Sequence, residues 1–582
     1  MAMSTNAELA AVFGEMAAVL ELLGANRFRV NAHARVARVL KDLTTDVAML
    51  CDDAAKLTAV EGIGEASAKK IIEYVQTGKV QEHQNLLAEI PAGLLEVLEI
   101  PGLGPKTVKL MWEQANVTDV ASLQSAIESG KLEKLPRMGA KTIENIKESI
   151  AFAAKSTGRV RLGEAMPVAE AIVERLCEVK GVKRIQYAGS LRRGKETIGD
   201  IDILASAGNP EELAQAFRSM AGVEKVLASG ETKSSIRLET GIQVDLRIID
   251  DKSFGAALAY FTGSKQHNVA MRERALKRRF RLNEYGLFRD DGKDEPPQKR
   301  GMKPVAAKTE EEIYAALELG WIPPEIREDR GEFVSRLPKL VELEDIRGDL
   351  HAHTTESDGH MTLDELAETA KAMGYHTVAV TDHSKSSAQA NGLSEDRLRR
   401  EIDEVREADQ RIKGIRILAG SEVDILSDGR LDYDDDLLAA LDIVIASPHV
   451  ALKQPTAKAT QRLLSAIRHP LVHIVGHPTG RIINKREGLT PDMNVLIEAA
   501  VEHDTALEIN ANYYRLDLRD THVRAAAEAG ALISINTDAH TTDNFEQMRY
   551  GVMTARRGWL TAKQCVNTWP KIKLMKWLEG KG

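Results

Sequence analysis

The chain is poor in cysteine. Its 582 residues include only Cys51, Cys177 and Cys565, far apart from one another. That spacing excludes a disulfide-braced scaffold and a cysteine-paired zinc site, and makes a reducing cytoplasm the expected setting. There is no run of eighteen apolar residues, so no membrane-spanning helix is expected. The opening "MAMSTNAELAAVFGEM" lacks a basic start followed by an apolar core, so no signal peptide is expected either. Positive charge is also short: 78 Lys and Arg face 87 Asp and Glu, a net charge of −9. The deficit is local, because residues 1–340 hold 49 basic and 49 acidic residues while 341–582 hold 29 and 38. The neutral part can therefore present a basic face such as "MRERALKRRFR", Met271–Arg281, to a phosphate backbone, although a solvated helix face explains that run equally well.

With 43% hydrophobic and 28% charged residues, the chain has the composition and length of a multidomain globular protein. The first 155 residues read as helical, interrupted by three similar glycine turns: "VEGIGEASAKKI" (Val60–Ile71), "IPGLGPKTVKL" (Ile100–Leu110) and "LPRMGAKTIENI" (Leu135–Ile146). A glycine turn opening a helix points backbone N–H groups outward at the positive end of the helix dipole, which suits a phosphate. One such turn is more readily a packing corner; three spaced copies favour DNA binding without sequence readout, through Gly62, Gly64, Gly102 and Gly104. The third copy carries Arg137 where the first turn glycine is expected.

From about Val160 strands and helices alternate. "GSLRRGKETIGDIDIL", Gly189–Leu204, places Asp200 and Asp202 on one face of a strand, and "QVDLRII" adds Asp245 on another. Three carboxylates on adjacent strands can hold two divalent ions about 3.5–4 Å apart, aligning an attacking hydroxyl with a leaving pyrophosphate. The "GSLRRG" turn, with Ser190, Arg192 and Arg193, can cradle a triphosphate.

Residues 1 to about 330 resemble a family X DNA polymerase, through "GSLRRGKETIGDID", "QVDLR", "YFTGSKQHNVAMRERAL" (Tyr260–Leu276) and "LNEYGLF". The resemblance implies Mg²⁺ or Mn²⁺ held by Asp200, Asp202 and Asp245, and triphosphate contacts from Ser190, Arg193 and Gly199. It implies a sugar pocket lined by Tyr260 and Phe261 beside Gly263, with Asn268 on the incoming nucleotide and Arg272 on the template. Gln243 and Lys265 depart from the animal repair members, which carry arginine and aspartate there. Lys70 stands where some relatives have a Schiff-base lysine that removes a deoxyribose phosphate, while Ala66 replaces a supporting basic residue; a helix-face lysine near DNA is the plainer reading.

The C-terminal region repeats a strand–helix rhythm seven times: "GDLHAHT", "YHTVAVTDH", "IRILAGSEVD", "LDIVIASPH", "VHIVGHP", "TALEINAN" and "ALISINTDAH". Polar candidates follow these strands: His351, His353, Asp358, His383, Glu422, His449, His477, Asp538 and His540. In a parallel barrel they would converge on the C-terminal face. His376, His469 and His503 fall off this pattern and read as structural. Mixed imidazole and carboxylate ligation favours Zn²⁺ or Mn²⁺, and nine ligands suffice for two or three ions. All nine positions match the PHP (polymerase and histidinol phosphatase) family. The whole chain thus resembles a bacterial family X DNA polymerase with a C-terminal PHP domain, which implies 3′–5′ exonuclease action and, in some members, cleavage at abasic sites.

The expected fold is multidomain: α-helical N-terminal domains with helix-hairpin-helix motifs, an α+β nucleotidyltransferase palm and thumb, and a C-terminal distorted (β/α)7 barrel. The expected divisions are 1–85 (lyase-like), 86–158 (helix-hairpin-helix), 159–250 (palm), 251–335 (nucleotide selection), 336–345 (linker) and 346–582 (PHP). The expected function is template-directed gap filling in DNA repair joined to a metal-dependent exonuclease. Gapped or nicked double-stranded DNA and deoxynucleoside triphosphates are the expected partners, with no membrane, for a monomer at the nucleoid of a bacterial cytoplasm. Two alternatives stay open: a small-molecule phosphoesterase tethered to DNA, and a non-catalytic DNA-end scaffold.

Overall fold

The computed structural model describes residues 5–98, 100, 103–136, 138, 143, 146, 158–230, 232–334 and 336–581. They divide into two compact units, 1–158 and 159–582. Among the described residues no helix is long and apolar enough to cross a membrane.

The first unit is helical. Its opening helix, Thr5–Leu23, is rich in Ala, Leu and Glu, strong helix formers, and buries Leu9, Phe13, Met16 and Leu20 at three- and four-residue spacing. Leu9 and Phe13 pack with Val36, Leu40, Ile63 and Ile71. Met16 and Leu20 enter a second core with Val108, Met111 and Leu123. One helix therefore anchors both halves of the unit.

The second unit begins with β1 (Val160–Arg161). A five-stranded palm sheet follows, ordered β2-β4-β7-β6-β5. Its strands are β2 (Val182–Tyr187), β4 (Asp200–Ala207), β5 (Val223–Ser229), β6 (Lys233–Leu238) and β7 (Gln243–Ile248). β3 (Thr197–Ile198) pairs with β1. Along β4, Ile201 and Ile203 are buried while Asp200 and Asp202 take the opposite face, as strand alternation requires. Sequence pattern did not mark β5, an edge strand whose residues are half-buried or exposed and so lack an apolar alternation. The thumb follows with helices Phe254–Thr262 and Lys265–Lys277, the hairpin β8 (Phe280–Asn283) and β9 (Gly286–Arg289), and helix Glu310–Ala316. Within 336–345, Leu340 and Val341 are buried, and Val341 N donates to Leu560 O at 2.9 Å.

The last seven strands form one parallel sheet in chain order. They are β10 (Gly348–Asp349), β11 (Thr377–Val380), β12 (Arg416–Asp424), β13 (Ile443–Ser447), β14 (Ile474–Val475), β15 (Ala506–Asn510) and β16 (Ile533–Asn536). A parallel bridge between Ala352 and Ala539 draws the two ends together, giving a nearly closed (β/α)7 barrel. Nearly every strand residue is buried, as expected where helices cover a parallel sheet. The palm core runs on into the barrel: Leu162, Ile172 and Leu191 pack in one cluster with Ile483, Leu516 and Tyr550.

Candidate functional site

Two sets of carboxylates and imidazoles stand apart in the second unit. In the palm, β4 and β7 run parallel with Asp202 paired opposite Asp245 and Asp200 opposite Gln243, so the three expected carboxylates share one patch. Burial pushes Asp202 up to about 7, and the charges of Asp200 and Asp245 add to it. Asp200 is raised by burial and then by Asp245. Burial acts on Asp245 too, but Lys233 (Nζ to Oδ2, 2.8 Å), Ser235 and Gln243 (Nε2 to Oδ1, 3.0 Å) hold it below the ordinary range. Three crowded carboxylates that repel one another fit divalent cations, whose charge would reverse that repulsion.

The Gly189–Arg192 turn starts against this patch. A Cβ on Gly189, which has φ +62°, would lie 2.4 Å from Asp202 Oδ2, so only glycine allows the approach. The turn carries Ser190 and delivers Arg193, whose Nη1 donates to Thr262 O at 2.5 Å and whose Nε donates to Glu328 Oε1 at 3.1 Å. Gly263, at φ +70°, lies beside that guanidinium, and Gly199 lies beside Arg159 just before β4. Tyr260, Asn268 and Arg272 line one cleft with Leu282 and Asn283. Asn268 Nδ2 donates to Tyr260 O at 2.7 Å, and Arg272 Nε donates to Asn268 O at 3.2 Å. Phe261 packs edge-on to Tyr260 and carries Arg247 over its ring at 4.4 Å. The thumb and palm residues named from sequence thus adjoin one another.

At the C-terminal ends of the barrel strands, eight of the nine expected ligands fall into three overlapping groups that could hold a metal ion. These are His353, Asp358, His383 and His540; His351, His353 and Asp538; and His383, Glu422 and His449. The ninth, His477, places Nε2 2.8 Å from Glu422 Oε1. Five polar atoms buried in this cluster have no hydrogen-bond partner: His351 Nε2, His353 Nδ1, His383 Nδ1, His477 Nδ1 and Glu422 Oε2. His383 Nδ1 and Glu422 Oε2 lie 2.9 Å apart without making a hydrogen bond. Stranded donors and acceptors at such density fit bound cations. Burial, and then His383 and His540, bring His353 down to about 4, which leaves a neutral imidazole able to coordinate. Glu422 and Asp538 are held well below the ordinary range: surrounding histidines more than reverse the upward push of burial.

Two carboxylates in this site were not anticipated. Glu508 on β15 accepts from His351 Nδ1 at 2.8 Å, while its other oxygen accepts from His477 N at 2.7 Å. Asp424 takes His449 Nδ1 at 2.5 Å. Such carboxylates fix the tautomer and aim of a ligating imidazole. A signal existed: Asp424 lies two residues after Glu422 on one strand face, and Glu508 is an acid inside the apolar stretch Ala506–Ile509. Of the histidines read as structural, His376 bonds Trp569 O at 3.0 Å and His469 bonds Asp435 at 3.2 Å, outside the cluster.

In the first unit, Gly64 and Gly104 are the N-caps of helices Glu65–Thr77 and Pro105–Ala115, with no side chain capping either start. Gly62 turns the chain at φ +98°, where a Cβ would lie 2.8 Å from Val39 Cγ2. Gly102, Arg137 and most of the third glycine motif lie outside the described residues. Lys70 Nζ pairs with Glu82 Oε2 at 3.0 Å.

Family models match four stretches of the chain: a helix-hairpin-helix domain at 4–80, a SAM-like helix-hairpin-helix tandem at 94–151, a DNA polymerase beta thumb at 257–328 and a PHP domain at 349–512. The DNA polymerase/3′-5′ exonuclease PolX of Bacillus subtilis (strain 168) is 38% identical over 556 residues, covering 95% of each chain. A probable phosphatase of Thermoanaerobacter sp. (strain X514) is 28% identical over 232 residues, 38% of this chain and 89% of that one. A likeness that runs from the helical unit through the thumb to the barrel settles the affiliation: the chain belongs to the bacterial family X DNA polymerases that carry a C-terminal PHP domain.

Proposed function

We propose that the protein is a template-directed DNA polymerase that fills short gaps during repair, and that its barrel removes nucleotides from DNA 3′ ends. The observation that carries this reading is the presence of two separate groups of candidate ligands in one chain, the Asp200, Asp202 and Asp245 patch and the barrel cluster, eight of whose nine residues form groups that could hold a metal ion. The relative that spans the chain bears the name DNA polymerase/3′-5′ exonuclease.

In this reading Asp200, Asp202 and Asp245 hold Mg²⁺ or Mn²⁺, and the barrel cluster holds two or three Zn²⁺ or Mn²⁺ ions. Bound there, such ions supply Lewis acidity toward phosphate oxygens. Ser190, Arg193 and Gly199 receive the triphosphate. Tyr260, Phe261 and Gly263 bound the sugar, Asn268 contacts the incoming nucleotide, and Arg272 contacts the template. Gly62, Gly64, Gly102 and Gly104 open backbone amides to DNA phosphates. Lys70 serves as a DNA-side cation; a lyase role requires its pair with Glu82 to open. The protein works as a monomer at the nucleoid in the cytoplasm, on gapped or nicked duplex DNA, and abasic-site cleavage is a second activity of the barrel.

The test is a labelled primer on one-nucleotide-gapped duplex in Mn²⁺, with and without the four deoxynucleotides. The primer should grow only with nucleotides and shorten without them. Asp202→Ala should abolish growth alone, and His353→Ala should abolish shortening alone. Equal loss of both activities in either variant would overturn the division of labour. A second reading, a small-molecule phosphoesterase tethered to DNA, draws on the barrel's likeness to a probable phosphatase. It requires rapid hydrolysis of a sugar or amino-alcohol phosphate with no action on DNA 3′ ends.

A further inference from the structure

The barrel helix Met548–Arg557 ends against the nucleotide turn of the palm, and its last residue is the centre of an ion-pair chain. Arg557 is buried, with a side chain 3% exposed. Its Nη1 donates to Arg193 O at 2.8 Å, to Glu325 O at 3.2 Å and to Glu328 Oε1 at 3.1 Å. Its Nη2 donates to Asp520 Oδ2 at 2.6 Å, and Arg330 Nη1 reaches the same oxygen at 3.3 Å. Glu328 Oε1 is also the acceptor for Arg193 Nε at 3.1 Å. One turn back along the helix, Met553 packs on Gly194, where a Cβ would lie 3.0 Å from its Cε. The neighbouring Arg556 Nε donates to Glu325 Oε1 at 2.7 Å.

We infer that Arg557, a residue of the PHP barrel, is a positioning residue for nucleotide binding in the polymerase: it holds Arg193 through that residue's carbonyl and through Glu328. The physical ground is that Arg193 has two constraints on its rotamer, Thr262 O and Glu328 Oε1, and one of these is shared with Arg557. A long guanidinium side chain held at both ends approaches a triphosphate with little rotamer entropy left to lose. With Arg557 absent, Glu328 keeps a single arginine on that oxygen, and the backbone at Arg193 loses its outside donor. The barrel then contributes to polymerisation through geometry, independently of the hydrolysis that its own cluster carries out. Asp520 fixes the far end of Arg557 from the start of helix Asp520–Ala529, so the barrel scaffold sets where the guanidinium sits.

This inference rests on the reading that Arg193 contacts the triphosphate, and the experiment separates the two. Full-length wild type, Arg193→Ala, Arg557→Lys, Arg557→Met, Glu328→Gln and the Arg557→Met/Glu328→Gln double variant are compared in single-nucleotide gap filling. Exonuclease activity and melting temperature are measured on the same preparations. Arg557→Met should raise KM for the incoming deoxynucleotide roughly tenfold, the factor expected for one charge-assisted hydrogen bond, with kcat within about twofold and exonuclease unchanged. Arg557→Lys should recover part of the loss. The double variant should be no worse than the poorer single variant, because both act through one chain of contacts. An unchanged KM in Arg557→Met, with KM raised in Arg193→Ala, overturns the inference and leaves the Arg193 reading intact. An unchanged KM in Arg193→Ala overturns that reading itself. Should Arg557→Met fail to fold, Glu328→Gln and Arg557→Lys carry the same comparison. Loss of kcat and exonuclease together, in step with a lowered melting temperature, would assign Arg557 a purely structural role and overturn the inference.

Discussion

His351 Nδ1 lies 2.8 Å from Glu508 Oε1, and both side chains are fully buried. The pair leaves His351 Nε2 without a hydrogen-bond partner inside the metal-fitting cluster, so Glu508 decides which nitrogen is offered to an ion. Its second oxygen holds the backbone N–H of His477, which ties the strand ends that carry His351 and His477 to one carboxylate.

Replacing Glu508 with Gln should therefore weaken metal binding at the barrel by about 10–100-fold, the usual cost of losing a carboxylate behind a ligating imidazole. Metal content by elemental analysis after graded dialysis measures this. Exonuclease activity should fall with it and return at high Mn²⁺, while gap filling stays at wild-type rate.

Gly189→Ala should slow extension on the order of a hundredfold with the barrel activity intact. The new methyl would need the space of Asp202 Oδ2, and displacing by about 1 Å a carboxylate proposed to hold a metal costs on the order of a hundredfold in rate. Parallel primer-extension and exonuclease assays decide it; near-normal extension would show that the turn can shift freely.

The palm carboxylates should make metal loading pH-dependent. Asp202, raised to about 7, keeps a proton below that pH, and a cation must displace it. Apparent Mg²⁺ affinity at the palm should rise with pH up to about 7 and level off above. The sign for folding is the reverse: because the folded state binds the extra proton, the contribution of Asp202 to the stability of the metal-free protein should fall as pH rises from about 4, the unfolded value, to about 7. Melting curves of wild type and Asp202→Asn, with and without Mg²⁺, measure both effects; Asp202→Asn should flatten each.

Glu310 is clamped by two arginines. Arg327 Nη1 and Nη2 reach its oxygens at 2.6 and 3.0 Å, and Arg192 Nη1 and Nη2 reach them at 2.8 Å each. Burial pushes the carboxyl up, but the two guanidiniums more than reverse it and hold it well below the ordinary range. Glu310→Gln should cost about 3–5 kcal/mol, because Arg327 is left buried with its charge unbalanced. The depressed pKa means that the wild-type contribution is complete above about 4 and is lost as the pH falls further. Denaturant unfolding at pH 7 and at pH 3 should show a difference between wild type and variant at pH 7 that shrinks at pH 3.

Local chemistry made much of this protein legible. Seven apolar runs each ending in a polar residue mark barrel strands because parallel strands are buried throughout and present their functional groups only at their C-terminal ends. Asp200 and Asp202 share a face because side chains alternate along a strand. β5 escaped notice because an edge strand half-covered by its neighbours shows no clear period. Glu508 and Asp424 escaped because a carboxylate that serves an imidazole has no spacing rule of its own; its partner can lie anywhere in the chain. His351 is 157 positions from Glu508 and His449 is 25 from Asp424.

The sequence by itself determined the helical, palm and barrel segments, the acidic and imidazole residues grouped in the palm and in the barrel, and the strand-end placement of the barrel group, since these follow from periodicity and from the coordination preferences of side chains. Only the tertiary structure decided that Asp202 faces Asp245, that Glu508 and Asp424 stand behind the histidines, and that Arg557 reaches from the barrel to the Arg193 carbonyl of the palm. Those relations depend on which distant segments meet, and the packing of whole faces fixes that meeting, a property that no local stretch of residues contains.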